Sequence, residues 1–177
     1  MASAFTKKFP KKEKAIRTDV SICDKNNKVI KTVVGLWDTG ATTSSINVKI
    51  AEELGLVPIG KTKTSTANGI CEVFTYYLNI MLPNNLPVNG LLVTGTNLGD
   101  TDMLVGMDVI SMGQLSISSD DNITVASFVV PRLEMKDFID DLKRMDRAAF
   151  KRIGRNDKCL CGSGKKYKDC CWDKHHR

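Results

Sequence analysis

Long apolar runs are absent from this 177-residue sequence. None approaches the roughly 18 consecutive apolar residues that a membrane-spanning helix requires, so we expect no membrane span. The lysine-rich start, MASAFTKKFPKKEK, is not followed by the apolar segment of a secretory signal. We therefore expect a cytoplasmic protein, in which thiols stay reduced. In that compartment its six cysteines indicate metal ligands or free thiols rather than disulfides.

The net charge of +6 is concentrated at the two ends of the chain. Residues 1–17 carry six Lys or Arg against one Glu, and residues 151–177 carry nine against three Asp. Basic ends favour an acidic partner, such as an acidic protein, the ribosome or an anionic surface. The low apolar content of residues 1–14 predicts a basic disordered tail. No base-reading motif is present, so we expect no sequence-specific binding of nucleic acid.

Short runs rich in β-branched and aromatic residues alternate with turn signals between residues 15 and 130. The extended or apolar segments are 15–23, 29–36, 61–80, 90–94, 102–110, 114–118 and 122–128. Asn68-Gly69 between two extended runs is a strong hairpin signal. One short helix is expected over 46–56, with Gly55 placed to end it in a left-handed conformation. The pattern predicts an all-β domain over residues 15–130.

One Asp-Thr-Gly sequence, Asp38-Thr39-Gly40, follows the second predicted strand. Gly40 allows the backbone to fold close behind Asp38, and the Thr39 hydroxyl can hydrogen-bond back into the turn. A tripeptide alone is weak evidence for a site. Two further segments strengthen it, AEELGL at 51–56 and LVGMDVI at 104–110, because they follow the tripeptide in a fixed order.

In this order of features, the sequence resembles the retropepsin-like (retroviral-type) aspartic proteases over about residues 15–130. The resemblance implies a closed barrel-type acid protease monomer in which Asp38, Thr39 and Gly40 are catalytic. It also implies structural support from residues that cross behind the catalytic turn, Leu104, Val105 and Gly106. A flap hairpin and the residue after the tripeptide would contact a peptide or protein substrate. These residues are Ala41, Ala67, Asn68, Gly69 and Ile70. Thr39 would link the two catalytic turns of a dimer.

Aspartic proteolysis requires two carboxylates that share a proton, one acting as base on a water and the other as acid. A chain with a single Asp-Thr-Gly must take the second carboxylate from another copy, so we expect a homodimer with an Asp38/Asp38′ pair and no cofactor for catalysis. The alternatives are a catalytically inactive protein-interaction module, in which Asp38 is structural, and an accessory factor of secretion or translation.

Two features, one residue and one segment, depart from the protease pattern. Trp37 stands where the family usually has an aliphatic residue, which predicts a bulkier base of the site. The flap lacks the glycine-rich tip of the viral enzymes. Both departures affect the expected substrate preference.

The C-terminal residues 131–177 differ in character from the β region. Apolar residues recur at helical spacing over 131–153, which predicts an amphipathic linker helix. Four cysteines follow within thirteen residues, which is too short for a hydrophobic core but suits a tetrahedral thiolate site for structural Zn²⁺. The proposed ligands are Cys159, Cys161, Cys170 and Cys171.

Residues 154–174 closely resemble the SEC-C motif, a zinc-binding element that occurs fused to other proteins. The resemblance implies a zinc knuckle that docks on a partner or substrate, and the accessory-factor alternative would act through it. Lys158 and Leu160 replace prolines that are common in the motif. His175 or His176 could replace one thiolate, although four cysteines already complete the site.

Overall fold

The computed structural model of the protein describes residues 2–66 and 69–175. These residues belong to two compact units, 1–134 and 135–177. The first unit consists mainly of strands, and the second contains the longest helix. Within the described ranges, no helix is both long and apolar enough to cross a membrane.

Strands dominate the first unit because its segments alternate between inward and outward side chains. In the second strand, for example, Thr18, Val20 and Ile22 are buried, and the residues between them are more exposed. The strands are β1 Ser3–Phe9, β2 Arg17–Cys23, β3 Val29–Trp37, β4 Ser45–Asn47, β5 Gly60–Thr66, β6 Gly69–Leu82, β7 Leu86–Thr96, β8 Met103–Val105, β9 Gln114–Ser119 and β10 Thr124–Val130. Two short helices accompany them, α1 Val48–Glu53 and α2 Met107–Ile110.

Six strands close into a barrel in the order β2-β3-β8-β4-β7-β6, and β6 pairs with β2 to complete it. The β3–β8 and β4–β7 pairs are parallel, and the others are antiparallel. Closure pairs the barrel strands on both sides, and their inward side chains form the core. Its fully buried members include Val20, Ile22, Ile46, Val93, Met103 and Val105. The predicted all-β closed barrel is confirmed.

A long hairpin extends from this barrel. β5 pairs antiparallel with the first half of β6, from Gly60 opposite Thr75 to Thr66 opposite Gly69. Gly69 has a φ of 107°, a value that favours glycine. The other two residues predicted for the turn, Ala67 and Asn68, lie outside the described residues.

The helix expected over 46–56 is shorter in the structure. Ser45–Asn47 forms β4 instead, because it pairs with both β7 and β8. The Asn47 side chain then accepts a hydrogen bond from the Lys49 N–H and so caps α1. Gly55 follows the helix with a φ of 61°, in agreement with its expected left-handed conformation.

The prediction that residues 1–14 are a disordered tail is wrong for Ser3–Phe9. This segment is β1, which pairs antiparallel with β10 along its whole length in the sheet β1-β10-β9. Phe5 is buried against two aromatic rings, with centroid distances of 5.7 Å to Trp37 and 6.1 Å to Phe128. One buried phenylalanine and a distant partner strand order a segment whose lysines suggested disorder.

The second unit begins with an irregular stretch and then α3, Phe138–Arg152. The Asp137 carboxylate accepts hydrogen bonds from the N–H groups of Ile139 and Asp140, so the helix begins several residues later than the predicted 131–153. A compact turn region follows, with a 3₁₀ turn at Tyr167–Asp169 and a short helix α4, Trp172–His175.

Candidate active site and metal centre

Asp38 directly follows β3 and lies half-buried at the start of a tight turn. Its carboxylate accepts a hydrogen bond from the Gly40 N–H at 2.8 Å, and its carbonyl accepts one from the Ala41 N–H at 3.3 Å. A β-carbon on residue 40 would lie 3.2 Å from the Asp38 carboxylate oxygen, so glycine leaves room for this geometry. The turn therefore fixes the direction of one carboxylate.

The turn is held from behind by β8. The Asp38 N–H donates to the Val105 carbonyl at 3.0 Å, and the Met107 N–H donates to the Ala41 carbonyl at 2.8 Å. β8 also pairs in parallel with β3, which places Leu104 opposite Leu36. Of the residues expected to support the turn, Val105 thus bonds to it directly, and Leu104 lies beside the strand that leads into it.

Gly106 makes the closest approach to the turn. A β-carbon there would lie 2.7 Å from the Thr43 carbonyl carbon and 2.9 Å from both the Ala41 oxygen and the Ser44 nitrogen. These obstacles are backbone atoms, which cannot rotate away. A residue larger than glycine would therefore separate β8 from the Asp-Thr-Gly turn.

Two residues that sequence reasoning missed, Ser44 and Asp108, connect the turn to α2. The Asp108 carboxylate accepts hydrogen bonds from the Ser44 N–H at 2.8 Å and the Ser44 hydroxyl at 2.7 Å. The same hydroxyl accepts one from the Gly106 N–H at 3.0 Å. The sequence signal that could have identified Asp108 is its position inside the apolar run LVGMDVI, where an unpaired charge would be costly.

A cleft of about 1250 Å³ opens above the turn. Its walls include Asp38, Gly40 and Ala41 on the turn side, Leu104 from β8, and Gly69 and Cys71 from the hairpin. The cleft thus brings together members of all three groups of expected site residues. Ile70, expected in the flap, is 77% exposed.

Thr39 lies on a different side of the turn. It is exposed and borders a second, more open concavity of about 570 Å³. The apolar residues of this concavity include Met107, Ile110, Leu115 and Ile117. Asp38 and Thr39 therefore face different surfaces of the same unit.

Trp37 points away from the cleft, because it alternates with Asp38 along the strand. Its indole N–H donates to the Thr18 hydroxyl at 2.9 Å, and its ring lies 5.0 Å from that of Phe128. The large Trp37 side chain, which was expected to make the base of the site bulkier, thus packs between the barrel and the sheet β1-β10-β9.

The four C-terminal cysteines come together in the second unit. The Sγ atoms of Cys159, Cys161, Cys170 and Cys171 all lie within 4.8 Å of one another. The Cys161–Cys170 and Cys170–Cys171 sulfur distances are 3.4 and 3.7 Å. Tetrahedral ligation with zinc–sulfur bonds of ~2.3 Å places sulfurs ~3.8 Å apart, so this donor set fits Zn²⁺.

The sequence folds in this way because two glycines allow sharp turns between the ligands. Gly162 and Gly164 have φ values of 77° and 72°. The Cys159 N–H donates to the Lys165 carbonyl at 2.8 Å and closes the loop. The His175 side chain and His176 lie outside the described residues.

Polar neighbours of the cysteines affect their ionisation. Hydrogen bonds from Ser163, mainly through its side chain, lower the pKa of Cys161 to about 6. A hydrogen bond with Cys159, together with burial, raises the pKa of Cys171 to about 12. The thiolate of Cys161 is thus stabilised, whereas Cys171 must ionise beside sulfurs that already share negative charge. A bound cation would offset that negative charge.

An aromatic group supports the knuckle. Tyr167 is fully buried, with ring centroids 5.5 Å from Phe150 and 5.4 Å from Trp172. The Arg155 guanidinium lies 4.9 Å from the Trp172 ring. Phe150 lies on α3, so the helix and the cysteine loop form one small core.

A closed barrel with a hydrogen-bonded Asp-Thr-Gly turn beneath a hairpin defines an acid-protease type of fold. The family model for gag-polyprotein putative aspartyl proteases matches residues 24–112, and the chain belongs to this family. The SEC-C motif matches residues 155–173, which confirms the second part of the expected fusion.

The solved structures that resemble the chain include two retroviral or retropepsin-like proteases. The retropepsin-like aspartic protease from Rickettsia conorii is 13% identical, and the match covers 73% of this chain and 96% of that one, with a TM-score of 0.48. The simian foamy virus (mac) protease is 20% identical, covering 54% and 92%, with a TM-score of 0.40. Since both scores are below 0.5, the family assignment rests on the family-model match.

Curated relatives match the C-terminal part of the chain. The protein translocase subunit SecA of Clostridium acetobutylicum is 66% identical over 32 residues, which are 18% of this chain. SecA of Symbiobacterium thermophilum is 72% identical over 25 residues. The chain spans only 4% and 3% of the length of these relatives.

Proposed function

We propose that this protein is a homodimeric aspartic endopeptidase in which Asp38 pairs with Asp38 of a second copy. The observation that carries the proposal is the Asp38 carboxylate itself, oriented by the Gly40 N–H in the wall of a peptide-sized cleft. Together the two carboxylates would share a proton. One would activate a water, and the other would protonate the scissile carbonyl oxygen.

Among the described residues that line the cleft, Glu72 is the one carboxylate besides Asp38. Glu72 forms an ion pair with Lys61 at 2.9 Å, so we do not assign it as the second catalytic carboxylate. A second copy is therefore the proposed source. The apolar surface beside Thr39 supports this, because Met107 and Ile117 remain 37% and 50% exposed in the single chain.

Substitution of Asp38 by Asn tests the proposal. We expect the wild type to cleave members of a peptide library and Asp38→Asn to cleave none, with both remaining dimeric in analytical ultracentrifugation. Asp120→Asn is the matched control, because Asp120 also caps its own turn, accepting from the Asn122 N–H at 2.8 Å. Equal cleavage by wild type and Asp38→Asn would exclude Asp38 as the catalytic group, and no cleavage by the wild type would favour an inactive interaction module.

We further propose that the second unit is a zinc knuckle that docks the protease on an acidic substrate or partner in the cytoplasm. Three exposed lysines, Lys165, Lys166 and Lys168, flank the buried Tyr167. Their charge suits an acidic protein, the ribosome or another anionic surface. The similarity of the C-terminal residues to part of SecA leaves an accessory role in secretion or translation as the competing function.

Charge reversal of the three lysines tests the docking role. We expect it to retain zinc and cleavage of short peptides but to slow cleavage of cellular proteins. Lys25→Glu with Lys28→Glu, in the turn between β2 and β3, is the control for charge reversal at another place on the chain. If the reversal changes neither reaction, the docking proposal is wrong. If it abolishes a cellular function that Asp38→Asn retains, the accessory role is favoured.

A further inference from the structure

A row of small hydroxyl residues crosses the wall of the cleft. Thr75 on β6 pairs with Thr94 on β7, and Thr94 pairs with Ser45 on β4. The Ser45 and Thr94 hydroxyl oxygens are 2.7 Å apart. Each of these three residues is 8% exposed and lines the cleft, so the row forms a tightly packed polar wall.

The hairpin β5–β6 also carries short hydroxyl side chains on the face that lines the cleft. Thr62 lies opposite Val73, and Thr64 lies opposite Cys71. Since alternate residues share a face, these four side chains lie on the face that includes Thr75. All of them line the cleft. Short hydroxyl side chains therefore approach the cleft from the hairpin as well as from the barrel.

The Ser45 and Thr94 hydroxyls bond to each other, but the pair keeps one O–H donor for a further partner, and the Thr62 and Thr64 hydroxyls lie on the more exposed hairpin. A large apolar side chain over this wall would shield that donor and the hairpin hydroxyls from water without providing a hydrogen bond. A short side chain that carries a hydroxyl or amide could replace that water. Sites built to hydrogen-bond a substrate reject analogues that lack the group more strongly than apolar pockets reject an extra hydroxyl. The polar wall thus gives the cleft a basis for selecting substrates.

We infer that the cleft selects peptides with short polar side chains, of the serine, threonine or asparagine type, beside the scissile bond. Large aliphatic or aromatic side chains at that position are disfavoured. This inference rests on the proposed peptidase function and names its substrate class. The specificity-determining residues are Ser45 and Thr94 on the barrel and Thr62 and Thr64 on the hairpin.

The test is cleavage of a peptide library, with the cut sites read by mass spectrometry. The wild type is compared with a Ser45→Ala/Thr94→Val variant. Changing both residues removes the hydroxyl pair together, so neither partner remains buried without a hydrogen bond. We expect the wild type to prefer short polar side chains and the double variant to shift toward aliphatic ones by about 10-fold.

Ser21→Ala/Thr32→Val is the matched control. This cross-strand hydroxyl pair, 3.1 Å apart on β2 and β3, lies away from the cleft, and its removal should leave the preference unchanged. If Ser45→Ala/Thr94→Val fails to fold, Thr62→Val/Thr64→Val decides, because Thr62 is exposed on the hairpin and Thr64 only half-buried.

A wild-type preference for large apolar side chains, or an unchanged preference in both test variants, overturns the inference but leaves the peptidase function standing. Absence of cleavage by the wild type, indistinguishable from Asp38→Asn, ends both. The two failures are therefore distinguishable in the same data set.

Discussion

At the scale of single residues, the candidate site depends on close contacts between main chains. Gly106 is one such contact, because a β-carbon there would lie within 3 Å of backbone atoms of Ala41, Thr43 and Ser44. The Ser44 hydroxyl then connects the Gly106 N–H to the Asp108 carboxylate. The direction of the Asp38 carboxylate thus depends on residues that do not enter the cleft.

Gly106→Ala should destabilise the barrel by about 3 kcal/mol or more, because the added methyl group meets backbone atoms that cannot rotate away. Urea unfolding followed by circular dichroism measures the loss. Gly60→Ala is the control, since its β-carbon would lie an ordinary 3.4 Å from the Thr75 hydroxyl. Equal stability of the two variants would contradict the close approach.

The Ser44–Asp108 contact shows why residue-scale detail was not predictable from sequence. Asp-Thr-Gly is a local signal, and its position after a strand could be predicted. The contact joins residues separated by 64 positions. The carboxylate in LVGMDVI signals a charge that needs a partner, but the sequence does not show which residue that partner is. Local patterns do not encode such pairs, because they depend on the closed barrel.

At the scale of elements, β1 is the main difference between expectation and structure. Residues 1–14 were expected to be disordered because they carry five lysines and little apolar content. The stabilising partner, β10, lies more than a hundred positions away. The central region was predictable because its strands and turns carry their own signals, whereas β1 acquires order only by pairing.

Phe5→Ala should lower the free energy of unfolding of the first unit by about 3–5 kcal/mol, because it leaves a cavity against the rings of Trp37 and Phe128. Thermal or urea unfolding measures the change. Lys8→Ala, an exposed residue of the same strand, should have little effect. If Phe5→Ala were as stable as Lys8→Ala, the N-terminal segment would not be part of the fold.

The proposed zinc knuckle is the second element with a direct test. Cys161→Ser should lower bound zinc by about 10-fold or more and unfold the second unit, because metal binding and folding are coupled in so small a core. Metal analysis and the helical circular dichroism signal report the two effects. Cys71→Ser, at an exposed cysteine of the hairpin, should retain zinc. Equal zinc contents would exclude the proposed ligand set.

At the scale of the whole molecule, two kinds of stabilisation are combined in one chain. The barrel buries a continuous apolar core, whereas the knuckle has only a few aromatic residues and four thiols. The knuckle should therefore depend on metal, and the barrel should not. Chelation would then separate docking from peptide cleavage without a mutation.

The proposed dimer makes a quantitative prediction about mixed subunits. If equal amounts of wild type and Asp38→Asn exchange freely, about one quarter of the dimers contain two Asp38 carboxylates, so activity per wild-type subunit falls to about half. A pair with one carboxylate cannot share a proton between two acids, which is why the mixed dimer should be inactive. Peptide cleavage after equilibration of the mixture measures the ratio. Mixing with Asp120→Asn should cause no such loss, and unchanged activity in the Asp38→Asn mixture would mean that each chain acts alone.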